Sequence, residues 1–110
     1  MELLTEELRA QLPPLYAQER VKEEDKIVYA KFFTPSSCWT WFVTEGAQQE
    51  DDFLFFGYVI GFAREWGYFS LSELQDSCGP CGPTVDRDLN FEPKPFTEAE
   101  REYNAVHGAL

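Results

Sequence analysis

The chain is 110 residues long, carries 20 acidic residues against nine basic ones for a net charge of −11, and is 44% hydrophobic and 16% aromatic. That length suits a single domain, expected over residues 1–110, with enough apolar side chains to form a core that needs neither disulfide nor metal. The acidity argues against direct nucleic-acid binding, which needs clustered Lys and Arg against phosphates, and against docking on anionic membrane; it permits high solubility, a basic protein partner, or competition with nucleic acid for such a partner's binding site.

No apolar run approaches the roughly 20 residues that span a bilayer, and Met1 is followed by acidic, amphipathic sequence instead of a signal peptide. A cytoplasmic location is expected. Three cysteines are an odd number, which reads as reduced thiols and not as a disulfide framework.

Leu4, Leu8 and Leu12 recur every four residues, with Thr5 as N-cap and Glu6 and Glu7 in the first turn, predicting a short amphipathic helix that Pro13 and Pro14 end. Gln18 to Lys26 is a polar connection with room for a helical turn. From there to Phe69 the chain holds fourteen of its eighteen aromatic residues, the composition of a sheet core. Ile27 to Phe33 is apolar at both alternate sets, as in a strand covered on both faces.

Thr34 to Ser37 reads as a turn, and Cys38 to Thr44 as a second strand that forms a hairpin with the first, Trp39, Trp41 and Val43 on one face. Glu45 to Asp52 reads as a polar loop and Phe53 to Phe62 as the longest strand, where Gly57 and Gly61 mark bulges or close backbone approach. Ala63 to Gly67 is expected to turn the chain into a short strand at Tyr68-Phe69. Ser70 and Glu73 match a capping box that opens a helix to about Ser77. Cys78 to Pro83 is irregular, Leu89 and Phe91 form an edge strand, and Thr97 with Glu100 caps a final helix. Tyr103 and Val106 are expected to share a face of that helix, with Gly108 as its C-cap.

The fold expected is therefore α+β: an antiparallel meander sheet of four to five strands with short N-terminal, middle and C-terminal helices.

The strings LPPLYAQE, KFFTPSSCWTWFVTEG, FLFFGYVIGF and GYFSLSELQ, running from about Leu3 to Phe96, resemble the bacterial domain-of-unknown-function family 2958. The resemblance implies a small protein of bacteria, their plasmids or phages, and names a fold without a reaction. It carries no catalytic residues over to this chain.

Cys78-Gly79-Pro80-Cys81 matches the thiol-exchange motif of thioredoxin-like proteins, but there the first cysteine opens a helix and here the motif follows one. The same pair with Cys38 and His107 has the ligand types of a zinc site, although a firm signature has two ligand pairs. His107 is the only histidine and lies near the end of the chain, a poor place for the base of a triad. Glu50, Asp51 and Asp52, like Asp86 and Asp88, read as solvated acids more readily than as paired catalysts. No glycine-rich phosphate loop is present.

Trp39, Trp41 and Trp66 are either core residues or, if they face solvent, a stacking platform. The leading expectation is a non-enzymatic protein-interaction module that binds through these tryptophans with Glu50, Asp51 and Asp52 as an acidic rim. It needs no catalytic residue, cofactor or metal. One alternative is an acidic nucleic-acid mimic that inhibits a DNA-binding enzyme, and another is a thiol redox or zinc protein using Cys78 and Cys81.

Overall fold

Thr5 opens the first element as its sequence requires: its Oγ1 accepts the Leu8 amide at 3.1 Å, and α1 runs over Glu6–Gln11. The computed structural model describes residues 2–35, 39–76 and 85–107. After a single 3₁₀ turn at Glu23–Asp25 come β1 (Ile27–Val28), β2 (Ala30–Phe33), β3 (Thr40–Gln49), β4 (Asp52–Ile60) and β5 (Arg64–Ser70). Then follow α2 (Leu71–Asp76), β6 (Asp86–Arg87), β7 (Lys94–Pro95) and α3 (Phe96–His107).

The main sheet has the order β5-β4-β3-β2-β6, all neighbours antiparallel, and β1 pairs with β7 in a small second sheet. Strands β2 to β5 are thus the meander expected, flanked by three helices. Ser70 Oγ accepts the Glu73 amide at 3.2 Å to start α2, as the capping box predicts.

Both faces of the sheet are apolar. On one, Phe32, Trp41, Val43, Phe53, Phe55 and Phe69 pack beneath Leu3, Leu4, Leu8 and Leu12 of the N-terminal segment and Leu74 of α2. On the other, Val28, Phe42 and Ile60 pack against Phe96, Ala99 and Tyr103 of α3, with Tyr58 and Trp66 at the margin. The twelve residues of α3 span only about 18 Å at 1.5 Å each, whereas the ten of β3 span about 33 Å. The part of this face around Phe56 and Tyr68 lies outside the cluster beneath α3.

The structure changes several expectations. The expected polar loop from Glu45 continues β3 to Gln49, and only Glu50 and Asp51 turn the chain, because pairing to Phe53 to Phe56 on β4 overrides the weak strand preference of this polar run. That makes β3, at ten residues, longer than β4, at nine. The turn after β4 is likewise confined to residues 61–63, with the Gly61 amide donating to the Ala63 carbonyl, and β5 begins at Arg64.

Leu89 and Phe91 form no strand: Leu89 is 67% exposed, Phe91 packs its ring near Phe42, and the edge strand beside β2 is Asp86–Arg87. Helix α3 begins at Phe96, whose amide donates to the Lys26 carbonyl, so its buried positions are Phe96, Ala99 and Tyr103 while Val106 is exposed. The expected turn at Ser36 and Ser37, together with Cys38, Cys78 to Pro83 and Gly108, lies outside the described residues.

Candidate functional site

The site is built around an irregularity in β3. Val43 pairs with Gly57, but the next pair is Glu45 with Phe56, so Thr44 is an inserted residue. A bulge of this kind re-aims the side chains that follow it. In unbroken register Glu45 would oppose Phe55 and enter the phenylalanine core; after the bulge it shares the opposite face with Phe56. Thr44 is itself fully buried, and its Oγ1 donates to the Phe56 carbonyl at 2.9 Å.

Glu45 is only 3% exposed, and a buried carboxylate must be paired or hydrogen-bonded. It accepts the amides of Tyr16 and Gln18 at 2.8 and 2.7 Å. Residues 16–18 wrap around it because Tyr16 takes a left-handed backbone, φ 72°, and tight turns follow through the Ala17 to Pro14 and Glu19 to Tyr16 hydrogen bonds.

Gln18 closes the other side. Its side-chain amide donates to the carbonyls of Ile27 and Thr44 and accepts the Ile27 amide, standing in for a peptide unit between β1 and the bulge. Its main-chain carbonyl accepts a hydrogen bond from Lys26 Nζ. The buried side chains of Gln18, Lys26 and Glu45 are therefore tied to the main chain, as a rigid framework requires.

This framework leaves a cavity of about 260 Å³ lined by Tyr16, Glu19, Glu23, Lys26, Glu45, Phe56, Trp66 and Tyr68. Phe56 stacks near-parallel to Trp66 at 6.0 Å and tilts on Tyr68 at 5.0 Å, a cross-strand aromatic ladder on β4 and β5. Tyr16 and Tyr68 are 62% and 50% exposed, so the ladder reaches solvent. Trp66 Nε1 is buried without a hydrogen-bond partner among the described residues. The Tyr16 hydroxyl beside Tyr68, then burial, then the charges of Glu45 and Glu19 raise the Tyr68 pKa above the ordinary tyrosine value, keeping that phenol neutral.

The lining carries three carboxylates and one ammonium, the latter already bound to the main chain. Elsewhere the chain places its own cations over its rings: Arg9 on Phe53, Lys31 and Arg64 on Tyr103, Lys94 on Phe91. Among the described residues none lies over the rings of this cavity. A second cavity, of about 440 Å³, is lined by Lys31, Trp39, Asp88 and His107 among others. It offers opposite charges and no aromatic ladder. His107 there stacks on Tyr103 with centroids 3.9 Å apart.

The family model described as "Protein of unknown function (DUF2958)" matches residues 3–101. The chain belongs to this family. The matched stretch of this DUF2958 member contains every residue of the Tyr16 to Tyr68 cavity. No curated protein and no solved structure matches the chain.

Of the site residues expected from sequence, the fold of this DUF2958 chain brings only Trp66 to the cavity. Trp39 and Trp41 stack on each other at 5.9 Å, but on the opposite face, where Trp41 is buried in the core and Trp39 packs against it. Glu50 and Asp51 occupy the β3–β4 turn, at the far end of β3 from the tryptophans. Asp52 is a structural cap, accepting the Phe53 amide, the Ser72 amide and the Ser72 hydroxyl. Among the described residues no three His, Cys, Asp or Glu side chains gather to hold a metal, and no helix is long and apolar enough to cross a membrane.

Sequence reasoning missed Tyr16, Glu45, Phe56 and Tyr68. Phe56 and Tyr68 could have been found from the two-residue alternation of Phe56 with Tyr58 and Trp66 with Tyr68. Glu45 could not, because nothing in its neighbours announces the bulge.

Proposed function

We propose that this protein is a non-enzymatic interaction module that holds a basic side chain of a protein partner in the cavity of Tyr16, Phe56, Trp66 and Tyr68. The observation that carries the reading is the joining, in one cavity, of a solvent-reaching aromatic ladder with an excess of carboxylates. Aromatic faces attract a cation by about 0.5–1 kcal/mol each when exposed and by about 2 or more when desolvated. Glu19, Glu23 and Glu45 add the charge that steers such a partner inward.

The size supports this: about 260 Å³ falls below the roughly 300–1,000 Å³ of sites for drug-sized ligands and suits one long side chain. Glu45 and Lys26, the buried ionisable groups, are engaged with the main chain of residues 16–18, which fits them for shaping the cavity and not for passing protons.

The test is calorimetric titration with arginine-containing and lysine-containing peptides, against the wild type and a Tyr16→Ala/Tyr68→Ala double variant. Both tyrosines are exposed enough for the variant to fold. Binding should weaken with added salt and fall at least about tenfold in the variant, the size expected for two cation–π contacts. Equal affinity of variant and wild type would refute the cavity as the binding site.

A further inference from the structure

Among the described residues, strand β5 is the open edge beside this cavity: it ends the main sheet and pairs only with β4. The carbonyls of Trp39 and Val43 accept the amides of Thr34 and Tyr29, so these odd-numbered residues direct their main-chain groups toward β2. In an antiparallel ladder the direction alternates residue by residue, so Thr40 and Phe42 point to β4, where they meet Ile60 and Tyr58. The hydrogen bond from Thr44 Oγ1 to the Phe56 carbonyl agrees with that phase.

It follows that Gly57 and Val59 direct their main-chain groups to β5, where they meet Gly67 and Glu65. Trp66 and Tyr68 must then present their N–H and C=O outward from the sheet. These two residues, central in β5, also line the cavity with their side chains. Between them, a Cβ at Gly67 would meet nothing within 4 Å among the described residues, so the opposite face of the edge is open at that point. Helix α3 packs against Val28 and Phe42 and above the Glu23–Asp25 turn, and it touches β5 through Phe96 on the Trp66 ring and Glu100 on Arg64, while Tyr68 lies outside its cluster.

We infer that the partner docks as an added antiparallel or parallel strand on β5, its main chain bonded to Trp66 and Tyr68 and a basic side chain opposite Tyr68 reaching into the cavity. Residues directly opposite across a strand pair project from the same face with Cβ atoms about 4.5–5.5 Å apart, so a lysine or arginine at that position lies over the Tyr68 ring. Its neighbours along the strand fall on the other face, above Gly67. Strand addition supplies affinity through the main chain, and specificity through alternate side chains. The occupant is a basic extended segment and not a second copy of this chain, because two copies would each bring a net charge of −11.

This inference rests on the cavity reading, and the experiment separates the two. The probe is a ten-residue synthetic peptide alternating arginine with valine and threonine, compared with two twins N-methylated on alternate residues in opposite phases. Hydrogen exchange of the Trp66 and Tyr68 amides should slow at least tenfold on binding the parent peptide. One methylated twin should bind at least tenfold more weakly and the other nearly unchanged. Equal binding by both twins, with the Tyr16→Ala/Tyr68→Ala loss still present, would overturn strand addition and leave the cavity reading standing. Absence of binding by all three would overturn both. A dimer in sedimentation with these two amides already protected in the free protein would overturn strand addition as well, since the edge would then belong to a second copy.

Discussion

Glu45 stands opposite Phe56 across the β3–β4 ladder, a pairing that exists only because Thr44 is inserted before it. The buried carboxylate then holds the amides of Tyr16 and Gln18, so one bulge sets both the floor of the cavity and the loop that presents Tyr16. Glu45→Ala should lower stability by about 3 kcal/mol, since hydrogen bonds to a charged group are worth about 1.5–3 kcal/mol each and one buried and one half-buried amide lose their acceptor. Glu45→Gln, which keeps one acceptor oxygen, should cost about half as much. Urea midpoints at constant slope measure both. A loss below about 1 kcal/mol for the alanine variant would mean that the loop holds itself.

Gly57 is fixed by contact and not by its own torsion. A Cβ there would lie 1.8 Å from the Phe42 carbonyl oxygen, and main chain in the middle of a sheet has little freedom to yield. Gly57→Ala should destabilise by about 3 kcal/mol or more, within the range of severe overpacking. Gly67→Ala, with open space at the same point of the next strand, should change stability by less than about 1 kcal/mol and serves as the matched control. Similar losses in both would show that the glycines matter for backbone freedom alone.

The meander, the Thr5 cap and the Ser70 cap were legible in sequence because each depends on local pattern: alternation, or a hydroxyl before an acidic residue. The cavity was not, because it depends on three long-range events. Glu45 reads as part of a polar loop until its backbone is known to pair with Phe56. Tyr16 follows two prolines in what reads as a connection, and only the carboxylate beneath it fixes its left-handed turn. Trp41, by contrast, reads from sequence as either core or a solvent-facing platform, and the leucines at 3, 4, 8 and 12 pack in the core that buries it. A helix shown by its own periodicity does not announce which sheet face it covers.

Glu50 carries a left-handed backbone, φ 51°, at the first position of the two-residue β3–β4 turn. For a residue with a Cβ this costs roughly 1–2 kcal/mol, and the side chain is exposed. Glu50→Gly should therefore raise stability, by up to about 1 kcal/mol after the greater entropy of glycine in the unfolded chain is subtracted. An unchanged or lower thermal midpoint would indicate that the Glu50 side chain contributes more than its backbone strain removes.

Asp52 joins the start of β4 to α2. The Ser72 hydroxyl, then the Phe53 amide, hold its pKa below the ordinary aspartate value, with the Ser72 amide adding to them against the opposing effect of burial. The folded state thus binds the proton less readily than the unfolded chain. Stability from this group is fully present above the unfolded value of about 3.9 and is lost as pH falls through the lower folded value. Asp52→Asn should accordingly be less stable than wild type at neutral pH, with the gap closing in acid. Thermal melts from pH 7 down to about pH 2.5 would show it, and a gap independent of pH would assign the effect to packing.

Tyr68 reports the charge of whatever fills the cavity. Its pKa is raised first by the Tyr16 hydroxyl, next by burial, and then by Glu45 and Glu19. Tyr16→Phe removes the leading cause, so the Tyr68 phenol should titrate closer to the ordinary value of about 10. A cation seated over the ring stabilises the phenolate and must also lower the pKa, whereas an anion or an apolar occupant must raise it further. Ring-carbon chemical shifts of Tyr68 followed between pH 8 and 12, with and without an arginine peptide, distinguish these outcomes. A downward shift on adding the peptide to wild type, absent in Glu19→Gln/Glu23→Gln only if binding itself is lost, is the expected result. An upward shift would show that the aromatic ladder takes its partner through apolar contact, and that the carboxylates around it serve solubility instead of recognition.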